Sequence, residues 1–499
     1  MSISVLLTAC TKQLTVDPRQ SINFSSALNT VDGMTAALNS VYAGLKSTNL
    51  YGRDLLAVSD ALADVGFANG KSGRLVGENR NQQGSHFVLW GTAYGLINEI
   101  NLILDAIPKT NTSQANKDKW EGEAKFLRAL MYFDLVKCYA YIPTATVPSQ
   151  EKGGVPLRLI PTNSSTEAGG YKPSRASIAA VYAQIYLDLN DAIAKIPATS
   201  TNRAFATQGS ARAILSRVAL YNGDWATVIT QSTSAISSTI GSISNAASYV
   251  AGWRASVHPE SMFEVTFATA AENVGVNTSL QTSYTGLAAL QSPAQSGGGF
   301  GDFVPNTIVL GGVGLSYASF ATYPAPTSSF TSVAPDYGVT RGADVRALLY
   351  EWGTTLRGTR YVECTKFFGK NGIINLDNVP VIRKSELLLN RAEAYYKRNA
   401  AGDEALALAD LNTFRANRGL PVVVFSGVAL FNEIINQRFL EFAFEGLRFF
   451  DLKRLGMDIV KPQTGSTVLT LPFTDTRLLA GIPQGEIDGN PNMVQNPGY

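Results

Sequence analysis

Apolar residues return at spacings of three and four along several long stretches of this chain. Ile178, Val181, Ile185, Leu189, Ala192 and Ile196 follow that spacing, and at 3.6 residues per turn they share one face of a helix. Ser174 stands where an N-cap belongs, and Pro197 ends the pattern. Residues 115–141 predict a second helix, with Phe126, Leu130, Phe133 and Lys137 in similar register. Trp90, Tyr94, Ile97 and Asn101 mark a third. The chain reads as mainly α.

Part of this pattern repeats. In 207–238, Leu215, Ser216 and Ala219 precede Gly223-Asp224-Trp225, and Val228, Ser232 and Ala235 follow at i, i+4 and i+7. In 384–418, Ala392 and Tyr395 precede Gly402-Asp403, and Ala407, Leu411 and Phe414 repeat the same spacing. Small residues at such places let one helix pack closely on the next, as in tetratricopeptide-like helix pairs. Ala129 and Tyr132 open a third candidate pair, whose second helix would be 174–196. A generic bundle with coincident spacing is the alternative. The repeats are expected over about 115–240 and 380–420.

The stretch from about 240 to 340 breaks the pattern. Between Val265 and Pro335 the charged residues are Glu272 and Asp302 alone, among Gly, Ser, Thr, Asn and scattered aromatics. Met262 to Phe267 alternates like a short strand. The region predicts long loops and short strands laid over the helices, and loops on a rigid scaffold are where binding sites usually sit.

Composition narrows the function. With 499 residues, 45% hydrophobic, the chain has material for a large core, and its net charge of +2 gives no electrostatic footprint for nucleic acid. His86 and His258 stand far apart, and Cys10, Cys138 and Cys364 form no CxxC pair; no metal and no cofactor is expected. The N-terminus is more informative. Leu7-Thr8-Ala9-Cys10 closes a short apolar run and resembles a bacterial lipobox, although no Lys or Arg precedes the run. Lipidation of Cys10 would supply acyl chains contributing about 0.8 kcal/mol per buried CH₂. Residues 1–10 read as signal remnant and lipobox, 11–26 as a polar tether, and 27–499 as a single domain.

Two C-terminal segments carry a family resemblance. Val379-Pro380-Val381-Ile382-Arg383-Lys384-Ser385-Glu386-Leu387-Leu388-Leu389-Asn390-Arg391-Ala392-Glu393-Ala394-Tyr395-Tyr396 is similar to one hallmark of the SusD/RagB proteins. Residues 434–454, with Arg438-Phe439-Leu440-Glu441-Phe442-Ala443-Phe444-Glu445-Gly446 followed by Arg448-Phe449-Phe450-Asp451-Leu452-Lys453-Arg454, resemble the other. Asp344-Val345-Arg346 ahead of Lys366, Ala124 to Tyr139, and the Trp90–Asn101 spacing extend the match over nearly the whole chain. Asn436-Gln437 and Leu447 depart from the usual pattern. Read as residues, Phe439, Phe442, Ala443 and Leu447 form one helical stripe, with Glu441, Glu445, Arg448, Asp451 and Arg454 as a paired network, since buried arginine needs a partner. A catalytic Glu445 is the weaker reading.

The resemblance implies a SusD-like fold and a cell-surface lipoprotein of the outer membrane. Such a protein caps a TonB-dependent SusC-like barrel and passes it an oligosaccharide or another nutrient without a chemical step. Sugar rings need aromatic faces and hydrogen-bonding edges. Tyr284, Phe300, Phe303, Tyr317 and Tyr323 in the uncharged region are therefore candidate ligand residues, with Arg74, Asn79 and Arg80 in the Gly-rich stretch from Asn69 to Phe87. Core filling beneath a loop is the competing reading for each aromatic. Trp90 is assigned to structure, and Trp253 and Trp352 are left open. Rival functions are peptide capture, a protein scaffold, or an all-helical glycan-degrading enzyme. The last needs a carboxylate pair across a cleft, which the loop region scarcely offers.

Overall fold

The computed structural model describes residues 28–288, 298–317, 339–353, 361–370, 373–462 and 470–499. The predicted periodicity becomes a run of helices: α1 (Val31–Gly44), α2 (Asp54–Leu62), α3 (Trp90–Ala106), α4 (Gln114–Tyr139), α5 (Ile178–Lys195), α6 (Gln208–Asn222) and α7 (Trp225–Ser237). After the irregular region come α8 (Lys384–Arg398), α9 (Asp403–Ala416), α10 (Gly427–Phe442) and α11 (Arg448–Leu455). Helix α4 packs on α5, α6 on α7 and α8 on α9, and α7 and α8 join the last two pairs across the sequence gap. Val228, Ser232 and Ala235 of α7 are fully buried, as are Ala407, Leu411 and Phe414 of α9. The small side chains of Ser232, Ala235 and Ala407 among them allow the close approach. The Ser216 and Ser232 hydroxyls meet at 2.7 Å between α6 and α7, and Asn390 of α8 donates to Ser216, so the polar groups in this contact are paired. Each buried Val, Leu or Phe adds roughly 1.5–3 kcal/mol.

Helix α5 starts later than its sequence suggested. Ser177, not Ser174, is the N-cap, its hydroxyl accepting from the Ala180 amide at 3.1 Å. The preceding residues are held in extended pairing instead: the Gly154 amide donates to the Ala176 carbonyl at 2.7 Å, and Arg175 donates to the carbonyls of Gly153 and Gly154. A backbone committed to that pairing cannot begin a helix.

Among the described residues the strands form five antiparallel pairs. They are β1 (Gly66–Ala68) with β3 (Phe303–Pro305), β2 (Ser261–Val265) with β8 (Val379–Arg383), and β4 (Leu315–Tyr317) with β5 (Val339–Arg341). The others are β6 (Tyr350–Trp352) with β7 (Val362–Cys364), and β9 (Ile459–Val460) with β10 (Thr470–Leu471). The short strand expected from the alternation of Met262 to Phe267 forms as β2, and all five of its residues are buried. Phe263 meets Phe126 of α4 edge-on at 5.0 Å, and Glu264 of the same strand is enclosed as well.

The C-terminal motif is not one continuous helix. Helix α10 ends at Phe442, Phe444 and Gly446 take left-handed backbone angles of +67° and +73°, and α11 starts afresh at Arg448. The break lets the charged residues find partners on other elements. Glu441 receives Arg418 and Arg383 at 2.9 Å, and both arginines also bind Glu260. Glu445 binds Arg383 and Lys366, Arg448 binds Asp64 of the loop after α2, and Arg454 joins Glu393 of α8 to Asp451. Burial alone would raise the Glu441 carboxyl, but Arg418 and Arg383 hold it well below its usual range. Removing one member of such a buried pair costs about 3–5 kcal/mol. Trp253 and Trp352 are both buried, and the Lys366 and Arg383 cationic groups lie 5.2 and 5.3 Å from the Trp253 ring.

Candidate ligand-binding face

Strands β1 and β3 bring together the two sequence stretches expected to meet a ligand. Gly66 is required there: a Cβ would stand 2.2 Å from the Val304 carbonyl oxygen of the partner strand. From this seam the loop after β1 is pinned to the segment ahead of β3. Asn69 donates to the Gly301 carbonyl at 2.5 Å, and the Asn69 amide to the Asp302 carbonyl at 2.9 Å. Ser72 and Arg74 both donate to the Asp302 carboxylate, at 2.5 and 2.8 Å. Lys71 reaches past them to Glu363 of β7 at 3.3 Å.

Aromatic rings are set among these polar groups. The Arg74 guanidinium lies 4.3 Å over the half-buried Phe300 ring. Phe67 of β1 and Tyr361, both half-buried, meet edge-to-face at 5.5 Å, with the Lys71 ammonium 5.6 Å over the Tyr361 ring. Arg74 also reaches the exposed side chain of Asn277, and its Nη2 has no hydrogen-bond partner. Gly70 and Gly73, at positive φ, are exposed at the loop tip.

Two buried carboxylates hold the face in place. Burial raises Asp302, while Ser72 and Arg74 pull it back. Burial likewise raises Glu363, opposed by Lys71 and by bonds from the Gly286 amide and the Thr285 hydroxyl. Both acids face partners rather than solvent, which leaves a rigid rim of rings, amides and one guanidinium.

Other predicted residues lie elsewhere. Tyr284 is fully buried and donates to Asp60 at 2.6 Å, Phe303 is fully buried against Phe444, and Asn79 is buried with its carbonyl holding the Ala68 amide. These three are enclosed and present no face to a ligand. Arg80, half-buried at the end of the short helix Val76–Asn79, has its Nε without a partner. Tyr317 takes its place in β4 opposite Val339, and Tyr323 and Cys10 lie outside the described residues. Phe67, Asn277 and Tyr361 join the face unannounced. Phe67 ends an apolar run that reads as core, and Tyr361 has only its alternation with Val362 to mark it.

The resemblance seen in the motifs extends to whole proteins. Residues 17–220 match the SusD-like model described as starch-binding and associating with the outer membrane, and residues 350–499 match the SusD family model. The chain belongs to the SusD/RagB family. Members of this family associate with the outer membrane, yet no helix among the described residues is long and apolar enough to cross one. SusD-like protein P2 of Formosa agariphila is 25% identical over 500 residues, spanning 95% of this chain and 94% of its own. A SusD superfamily protein from Bacteroides thetaiotaomicron superposes with a TM-score of 0.77 at 24% identity, covering 94% of this chain and all of the other. A laminarin-binding SusD-like protein gives 0.68 at 22% identity, over 93% of this chain and 99% of its own. The SusD fold thus extends over nearly the whole chain.

Proposed function

We propose that this SusD-family protein is a non-catalytic capture protein that holds a neutral oligosaccharide on the face built from Phe67, Asn69, Arg74, Phe300 and Tyr361. It is anchored by lipid at Cys10 on the cell surface and delivers its ligand to a TonB-dependent SusC-like barrel. The observation that carries the ligand assignment is the alternation of half-buried rings with pinned polar groups across the β1–β3 seam. Rings stack on sugar faces while Arg and Asn groups bond the hydroxyl edges. The acids near the rings are neutralised by Arg74 and Lys71, an arrangement suited to holding a ligand and poorly suited to general acid–base work. The laminarin-binding relative, alike in fold, supports a glycan as the class of ligand.

The test is affinity gel electrophoresis of the full chain, carrying Cys10→Ser, through a panel of neutral and acidic polysaccharides. Retardation by a neutral glycan is expected, and it should be lost in Phe300→Ala, Tyr361→Ala and Arg74→Ala. No retardation by any polysaccharide removes the sugar assignment in favour of a peptide or another nutrient.

A further inference from the structure

A cavity of about 400 Å³ lies apart from the loop face and shares no residue with it. Its size falls at the lower end of ligand pockets, which run to roughly 300–1,000 Å³. The floor is apolar, made by Trp90, Tyr94 and Ile97 of α3 together with Met493. One wall is the segment from Pro156 through the short helix Ser165–Gly170 to Pro173, and the other is the short helix Gln484–Gly489 with Asn490. The walls are tied together at one end. Lys172 donates to the Gly489 carbonyl at 2.6 Å, Asn490 to the Pro173 carbonyl at 2.7 Å, and Asn492 to the Lys172 carbonyl at 2.8 Å. The pocket is therefore formed before anything enters it.

The chemistry of its lining selects a ligand class. Tyr171 remains 37% exposed, and the Arg158 guanidinium covers one face of its ring at 4.0 Å. That stack fixes the Tyr171 ring as a platform. Arg158 is neutralised by Glu167 at 3.1 Å and also donates to the Pro161 carbonyl, yet its buried Nε has no partner among the described residues. Lys172 keeps its charge after bonding the Gly489 carbonyl, but the Glu486 carboxylate in the same lining offsets it, so the site carries no net positive charge to select a phosphate or carboxylate. What it does offer is an apolar ring-lined floor, one unfilled neutralised donor, and a rim carrying the Glu486 carboxylate as acceptor. An orphaned buried donor costs about 1–3 kcal/mol until something accepts from it. A hydroxyl is the uncharged acceptor that fits.

We infer that this cavity is a second saccharide site, taking one or two neutral sugar rings by stacking at Tyr171 and a hydroxyl bond to Arg158. The choice of a sugar rests on the capture reading above; the location does not. Two sites on one chain let a long glycan be held at two points, the second engagement being intramolecular at an effective concentration on the order of millimolar.

Gly489 supplies a clean block. A Cβ there meets nothing within 4 Å, and its φ is not left-handed, so Gly489→Trp adds a ring beside the cavity without backbone strain. The experiment is saturation-transfer NMR and titration of the full chain with Cys10→Ser against maltotetraose, cellotetraose, laminaritetraose and mannotetraose. It is repeated on a loop-face variant, Phe300→Ala with Tyr361→Ala. The expected result is that at least one tetrasaccharide binds the loop-face variant. Adding Gly489→Trp or Tyr171→Ala to that variant should then weaken binding about tenfold, with far-UV circular dichroism and the urea midpoint unchanged. Binding to the unaltered face that vanishes in the loop-face variant overturns this site and leaves the capture reading intact. Binding that survives both added changes also overturns it. No binding by the unaltered protein overturns both.

Discussion

Asp60 sits at the end of α2 with no exposure, accepting from the Tyr284 phenol at 2.6 Å and from the Gly446 amide. Burial raises its carboxyl to about 7, the Tyr284 bond and the Lys366 charge only partly opposing the rise, with Glu445 adding to it. In the unfolded chain the same group titrates near about 3.9. Between those two values the folded state keeps a proton that the unfolded state has released. Asp60 thus contributes stability that is complete below about pH 4 and is lost as pH rises through about 7. Asp60→Asn should flatten this part of the profile, measured as urea midpoints from pH 4 to 7.5; an unchanged slope would show that Asp60 is ionised throughout. The pair also shows why single residues resist sequence reading. Tyr284 stands in an uncharged, ring-rich loop and reads as a sugar platform, but its partner lies 224 positions away. Phe303, enclosed against Phe444, misleads for the same reason; Asn79 is instead enclosed by near neighbours in sequence, its carbonyl holding the Ala68 amide. Arg74 and Phe300, which stay at the β1–β3 seam, stand out in the sequence because each interrupts its surroundings, one a cation among glycines, the other a ring beside an isolated acid. Phe67 and Tyr361 interrupt nothing.

Helix pairing was written plainly in the chain, because spacing at i, i+4 and i+7 records which face is buried whatever the partner. The path through 443–447 was not, since an apolar stripe with charges beside it looks the same whether the helix continues or breaks. Only the neighbours decide. At Gly446, φ is +73°, and a Cβ would lie 2.6 Å from the Leu56 Cα and 2.7 Å from the Leu55 carbonyl oxygen, both of them backbone atoms that cannot rotate away. Gly446→Ala should therefore destabilise by more than about 2 kcal/mol, combining the left-handed penalty with overpacking against α2. Gly485→Ala is the matched control, because a Cβ there meets nothing within 4 Å and its φ is not left-handed. Equal urea midpoints for the two variants would refute the claim that close approach to α2 forces the break between α10 and α11.

At the scale of the whole molecule, the family's place at the outer membrane must be reconciled with a chain whose described residues include no membrane-crossing helix. The lipid proposed at Cys10 would reconcile the two, because a diacylglycerol on the cysteine would supply two chains, and two are what stable anchoring requires. The polar stretch from Thr11 to about Ser26, carrying Asp17-Pro18, would then stand between that anchor and α1 in the sequence. Both proposed binding sites belong to the chain beyond that stretch. Expressed in a Bacteroidetes host behind a complete signal sequence, the protein should fractionate with outer membranes and be cleaved by protease added to intact cells. Cys10→Ser should move it to the soluble fraction with its glycan retardation unchanged, since neither site contains residue 10. If Cys10→Ser stays with the membrane, a protein contact holds it there, and pull-down from that fraction would then identify the barrel, or another partner, as the true anchor.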